Sequence, residues 1–324
     1  MDFELNDEQQ AIRETARDLL GSRGADEAVW AELCELGWPG IAIAEEQGGQ
    51  GLGLLELALL AEELGYACAP TPFLGTTLAA LAIEAAGSGE QQQEWLGRLA
   101  SGEAAGALAL SAAPSLVPDA APDRLLVLAD GAGGATLHAS GAVEAVEAID
   151  PRRRHGTVAV AAGGEALEGS VDDALDRAAV VVAAELVGLC RRALQTTVEY
   201  VKDRKQFGVP VGSFQAVQHI AAQMLRDTEG AAAATYFAAW AADAEPDSLP
   251  QAAAIAKALS ADAGRSVTAA AIQLHGGIGF TWEADLHWLF KRAQVDAVYL
   301  GGAGYHRARV AALAAEALRA PAAV

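Results

Sequence analysis

The 324-residue chain is short of positive charge: 22 Lys and Arg stand against 43 Asp and Glu, a formal net charge of −21. So few cations assemble no broad basic face, which argues against nucleic acid and anionic membrane surfaces as partners. Cysteine is scarce too. Cys34, Cys68 and Cys190 are odd in number and widely spaced, as expected of reduced thiols in a cytoplasmic protein and not of a disulfide framework. His138, His155, His219, His275, His287 and His306 are scattered, and none joins a Cys at metal-ligand spacing, so no metal is expected. No G-x-G-x-x-G follows a strand-like run, and P-loop and G-x-S-x-G elbow are missing, which sets aside nucleotide-kinase and serine-hydrolase readings. The acidic start "MDFELNDEQQ" is unlike a signal peptide. The longest apolar run, around Ala178 to Cys190, contains Glu185 and is too short to span a bilayer.

What is present is Ala- and Leu-rich, 52% apolar with few aromatics, which predicts a mainly helical protein of two or three domains. Residues 1–102 read as an N-terminal helical domain. Asn6 with Gln9 fits a capping box, and Ile12, Ala16, Leu19 and Leu20 form a helical stripe. The glycine-rich turn "EEQGGQGLG" precedes the helix "LLELALLAEELGYA", whose polar members are Glu56, Glu62 and Glu63. Residues 103–167 change character: "RLLVLAD", "ATLHAS" and "HGTVAVAAG" are short β-type runs parted by Gly, Asp and Pro, a small β module. After a linker with Ser170 as a helix cap, residues 168–324 predict four long helices, at 172–203, 214–242, 249–275 and 284–318.

Two segments stand out. "KDRKQFGVPVGSFQAVQH" gathers Lys202, Arg204 and Lys205 in an acidic chain, beside glutamines and two phenylalanines. Its plain reading is a helix end, where cations complement the dipole; its functional reading is a local anion site. "QLHGGIGF", from Gln273 to Phe280, reads plainly as a Gly-capped helix end.

Taken together with "IAKALSADAGRSVTAAAIQLHGGIGFTWEADLHWLFKRAQ" and "LGWPGIAIAEEQGGQGLGLLELALLAEELG", these segments closely resemble the acyl-CoA dehydrogenase family, over roughly 1–100 and 172–310. The resemblance implies an N-terminal helical domain, a middle β-barrel, reduced here, and a C-terminal four-helix bundle. It implies an oxidoreductase that binds FAD and desaturates acyl-CoA thioesters, handing electrons to an electron-transfer flavoprotein or similar acceptor. By resemblance, Arg204 meets the FAD pyrophosphate, Lys205 and Gln206 complete the triplet, Phe207 lies by the adenine, and Phe214 and Gln215 make the next contact. Gln273, Leu274, His275, Gly276 and Gly277 form a second FAD strip, where glycine admits close backbone approach. In family dimers both strips reach into the neighbour's FAD.

The groups expected to serve the chain's own site depart from the family. The family glutamate that takes the α-proton follows a Tyr and precedes Gly-Thr; here Tyr299 is followed by Leu300, Gly301 and Gly302. Leucine takes no proton. The alternative family position, early in the first C-terminal helix, is Ala178. Asp176 is two residues away, about 200° round a helix, and Glu185 reads more simply as an interhelical polar group. The Thr-Glu-Pro and Gly-Ser-Asp segment has only "LALSAAPS" (108–115) as an echo, and no Trp between Trp95 and Trp240 supplies the indole that packs on the flavin. This pattern resembles the short subunit of actinobacterial-type heteromeric acyl-CoA dehydrogenases, which act on bulky acyl-CoAs such as steroid side chains. It implies a second acyl-CoA dehydrogenase-like subunit carrying the glutamate, in an α2β2 assembly. Two alternatives stand beside it: a self-sufficient homo-oligomer with Asp176 or Glu185 as displaced base, and a non-catalytic FAD- or acyl-CoA-binding scaffold. Tyr299 and His306 are expected to serve packing and helix-end charge, and Arg292 to pair with Glu283, Asp285 or Asp296.

Overall fold

The computed structural model describes residues 5–23, 26–110, 116–159 and 163–319. Five helices come first: α1 (Asp7–Arg23), α2 (Val29–Glu35), α3 (Leu54–Ala67), α4 (Phe73–Ala86) and α5 (Gly89–Ala100). The capping box at the start of α1 forms as the sequence predicts. Gln9 N–H donates to Asn6 Oδ1 at 2.8 Å, and Asn6 N–H donates to Gln9 Oε1 at 3.0 Å. Helix α1 buries Ala16 and Leu20 from the predicted stripe. Two polar members of α3, Glu62 and Glu63, face inward and are buried; Arg17 pairs with Glu63, and Arg191 and the Tyr236 hydroxyl donate to Glu62.

The β module follows as two sheets. Strands β1 (Gly106–Leu110), β3 (Leu125–Ala129), β4 (Ala135–His138) and β7 (Glu165–Ala166) form one, in that spatial order, with β1 parallel to β3. Strands β2 (Leu116–Pro118), β6 (His155–Val158) and β5 (Val143–Ala145) form the other, in that order. The predicted linker thus contributes β7 to the first sheet. Ser170 sits one residue ahead of the helix cap position, Val171; its Oγ accepts the Asp172 N–H at 3.2 Å.

Helices α6 (Asp172–Asp203), α7 (Gln215–Ala244) and α8 (Leu249–His275) match the prediction closely. The fourth predicted helix, 284–318, is instead two: α9 (Leu286–Asp296) and α10 (Ala303–Arg319), separated by a turn. There Leu300 has φ +54° and Gly301 φ +100°, left-handed backbone that no helix continues through. The expected loop at 204–213 contains a hairpin, β8 (Lys205–Gln206) and β9 (Val209–Pro210), closed by Phe207 and Gly208 at φ +54° and +82°, as a two-residue hairpin turn requires.

One apolar core runs through the N-terminal helices, the β module and the bundle. Helices α3 and α6 approach so closely that a Cβ at Gly65 would lie 2.2 Å from the Glu185 carbonyl oxygen, and one at Gly188 1.9 Å from that of Glu62. Two glycines, one on each helix, make this crossing possible. Among the described residues no helix is long and apolar enough to cross a membrane.

Candidate flavin strips and the closed turn

The first strip is the hairpin. Arg204, Lys205, Gln206, Phe207, Phe214 and Gln215 are all exposed. Arg204 N–H donates to Tyr200 O at 2.8 Å and Arg204 O accepts from Val211 N–H at 2.8 Å, so the backbone is fixed while the side chain is free. Among the described residues neither Arg204 nor Lys205 forms an ion pair. Phe207 is 92% exposed, and its ring meets that of Phe214 edge-on at 6.3 Å. An uncompensated planar cation beside exposed rings suits a phosphate-bearing aromatic ligand.

The second strip ends α8. Gln273, Gly276 and Gly277 are exposed, and Leu274 is half-buried. A Cβ at Gly276 or Gly277 would meet nothing within 4 Å, so the backbone there is open to close approach from outside. His275 differs from its expected part: its ring is buried, Nδ1–H donates to Ala271 O at 2.8 Å, and burial lowers its pKa. Immediately beyond, Phe280 is 81% and Trp282 75% exposed. Sequence reasoning passed over these two rings. The signal was available in "GFTWEADLHW", an aromatic run without helical or alternating period.

The turn 297–302 is of the opposite kind. Leu300, at the family's glutamate position, is packed into the core, as is Ala178. Tyr299 is buried and its hydroxyl donates to Leu108 O at 2.6 Å; burial, with Asp119 nearby, pushes the phenol well up. His306 is buried as well, with Nε2 3.0 Å from Leu300 O, to which its N–H donates. Burial, then the neighbouring charge of Lys257, lowers its pKa to about 4. It is a neutral clamp near the start of α10, where the positive end of the helix dipole disfavours a cation; the expected helix-end charge is not there. From the other side the fully buried Lys257 donates to the carbonyls of Asp296 at 3.1 Å, Ala297 at 3.4 Å and Gly301 at 3.1 Å. Burial brings its pKa down to about 8. Residues 111–115, most of the "LALSAAPS" echo, lie outside the described residues.

The alternative bases are committed elsewhere. Both oxygens of Asp176 accept from Arg309, one of them at 2.8 Å. Glu185 lies between Arg153 and Arg292 in a buried ionic cluster with Asp119, Asp150 and Asp296. This corrects the expected partners of Arg292. It pairs with Asp150 and Glu185 and donates to Ala69 O at 3.2 Å, because α9 turns it toward the β module and α6. Asp296, one turn along, accepts from Arg153 at 3.2 Å instead. Burial, with Glu185 close by, pushes the Asp296 carboxyl well above the usual carboxylate range. Burial also opposes ionisation of Asp150, but Arg292 beside it outweighs that and holds its pKa low. Two cavities of about 1300 and 1110 Å³ lie away from the turn: the larger beside Tyr66, Arg192, His275 and Trp288, the smaller between α5 and the β module. Neither is lined by Leu300 or Ala178.

Comparison with known proteins bears on the family and the fold. Residues 6–103 match the model of the acyl-CoA dehydrogenase N-terminal domain, and residues 169–314 that of the C-terminal domain. The chain is 38% identical over 311 residues to acyl-CoA dehydrogenase IpdE2 of Mycobacterium tuberculosis, covering 91% of this chain and 93% of that protein. Among solved structures, a variant of the Tcur3481–Tcur3483 steroid ACAD superposes with a TM-score of 0.85 at 28% identity, covering 96% of this chain and 98% of that one. The ChsE4–ChsE5 complex of Mycobacterium tuberculosis shares the fold, with a TM-score of 0.84 at 24% identity, over 99% of this chain and 100% of the other.

Proposed function

Because this chain belongs to the acyl-CoA dehydrogenase family, whose members are FAD-dependent oxidoreductases of acyl-CoA thioesters, we propose that it completes the flavin site of a partner subunit. The partner is a second acyl-CoA dehydrogenase-like chain that carries the glutamate, in an α2β2 assembly. The likeness to a steroid ACAD built of two named chains supports that assembly and a bulky, steroid-type acyl group. We read the chain as three units, 1–102, 103–167 and 168–324, of which the last presents both strips.

The observation that carries this reading is the contrast between the strips and the turn. Leu300 and Ala178 occupy the two base positions with buried hydrocarbon, while Arg204 and the Gly276–Gly277 bend face outward. FAD, when bound, supplies the hydride acceptor for α,β-desaturation, with an electron-transfer flavoprotein or similar protein as the next acceptor. This chain's part is to hold. Arg204 grips the pyrophosphate, with Lys205 and Gln206 beside it. Phe207 packs at the adenine, Phe214 and Gln215 extend the contact, and Gln273, Leu274, Gly276 and Gly277 offer backbone.

Co-expression with an acyl-CoA dehydrogenase-like partner that retains the glutamate tests it. One FAD per heterodimer is expected, with none retained by this chain purified alone. One FAD per chain, or turnover of an acyl-CoA by the isolated chain, would overturn it.

A further inference from the structure

The two strips are some 70 residues apart in sequence, yet one side chain joins them. Tyr200 lies in the last turn of α6. Its carbonyl accepts the Arg204 N–H at 2.8 Å, the last i→i−4 bond of α6, after which Arg204 at ψ 122° takes the chain into the hairpin. Its ring stacks on that of His275, centroids 4.2 Å apart and planes 18° from parallel. Its hydroxyl makes a long contact, 3.4 Å, to the carbonyl of His275, the last residue of α8. His275 is itself tied to its helix through Nδ1–H to Ala271 O. Gly276 follows at once, with φ +64°.

We propose that Tyr200 and His275 form a clasp fixing the spacing between the Arg204 hairpin and the Gly276–Gly277 bend, so that both meet the flavin dinucleotide as one preformed surface. This rests on the reading that the strips hold a partner's FAD. The physical need is plain. A two-residue hairpin turn and a pair of unpacked glycines each lose conformational freedom when a ligand orders them, and that loss subtracts from affinity. A stacked pair of rings anchored in two packed helices removes it beforehand. Both residues are positioning residues: the ring of His275 is buried and that of Tyr200 is turned to it, and what they present outward is the backbone that follows each.

Two variants separate this from general support of the bundle. Tyr200→Phe deletes the hydroxyl and keeps the stack; Tyr200→Leu deletes both. Amide hydrogen exchange on the full chain is expected to rise about tenfold in Tyr200→Leu at 204–211 and 276–281 together, with the interiors of α6 and α8 unchanged. In the complex with the partner subunit, FAD affinity is expected to weaken about tenfold while kcat at saturating FAD holds, and Tyr200→Phe is expected to lie between. Faster exchange confined to one strip, in neither, or spread through the whole bundle overturns the clasp. Arg204→Ala measured alongside separates the two failures. If Arg204→Ala sheds FAD and Tyr200→Leu does not, the clasp is wrong and the flavin reading stands. If both strips loosen in Tyr200→Leu yet neither variant alters FAD retention, the flavin reading is what fails.

Discussion

The turn 297–302 and the hairpin 204–210 both carry left-handed backbone, at Leu300 and Gly301 in one and at Phe207 and Gly208 in the other. In the turn that conformation is held from every side, by Lys257, by His306 and by the Tyr299 hydroxyl on Leu108. In the hairpin it is held by backbone hydrogen bonds and by local side-chain ones, Gln206 Nε2–H to Lys205 O and Ser213 Oγ–H to Pro210 O, while Phe207 projects into solvent and Arg204 has no carboxylate partner among the described residues. Strain and unpaired charge persist where something over-determines or uses them. The turn supplies its own reasons from within the chain. The hairpin's own turn accounts for its left-handed backbone but not for its exposed ring and unpaired cation, which is why their purpose is sought in a second molecule.

The comparison breaks most visibly if the internal side is taken apart. Arg292→Ala leaves Asp150 buried without its cation and removes one of the two arginines on Glu185. Breaking a fully buried pair in this way costs about 3–5 kcal/mol, read as a drop in the urea midpoint at constant m-value. Replacement of Arg292 by Met, which restores apolar volume but not charge, is expected to rescue little, because the carboxylates remain.

Next in size is the acid limb of the turn. His306 has a folded pKa of about 4 against an ordinary 6.5. Between those values the unfolded chain binds the proton and the folded chain does not, so stability is full above about pH 6.5 and falls as pH drops toward 4. The full span is worth about 3 kcal/mol. Unfolding midpoints at pH 7.0, 5.5 and 4.5, for the wild type and His306→Gln, check it. The substitution is expected to lower stability at neutral pH and flatten the acid slope, and an unchanged slope would show that His306 is not the titrating group.

How far this contrast was legible beforehand differs between its two sides. Helices α3, α6, α7 and α8 were legible because apolar periodicity and Gly or Pro punctuation are local signals. The strips were legible through a family motif, and Arg204 and Gly276 do sit outward as that motif implies. The break between α9 and α10 was not foreseen, although "LGGAG" contains the glycines that permit it, because Ala- and Val-rich flanks read as continuous helix. The ionic cluster was hidden for a different reason. Arg153 and Asp150 lie in the β module, Glu185 on α6 and Arg292 on α9, so pairing by sequence proximity picked Glu283, Asp285 or Asp296 for Arg292 and missed its partners, Asp150 and Glu185. Tyr200 gave no signal at all, since a tyrosine in the last turn of a helix reads as amphipathic packing.

The smallest expected change in stability, and the sharpest test of the contrast, lies at the hairpin. Arg204→Ala and Phe207→Ala each remove an exposed side chain that no described ion pair holds, so the unfolding free energy of the isolated chain should stay within about 0.5 kcal/mol. The same variants in the two-chain complex are expected to behave differently. Loss of a charge-assisted contact to pyrophosphate costs about 1.5–3 kcal/mol, roughly a ten- to hundredfold weaker FAD affinity, measured by flavin release during gel filtration at falling concentration. Phe207→Ala should lose less, because stacking at a solvent-facing edge contributes about 1 kcal/mol. A residue that is silent in its own fold and costly for flavin retention in the complex acts on the ligand and not on the scaffold. If Arg204→Ala instead destabilised the isolated chain as much as it weakened flavin retention, the hairpin would be ordinary scaffold and the contrast with the turn would vanish.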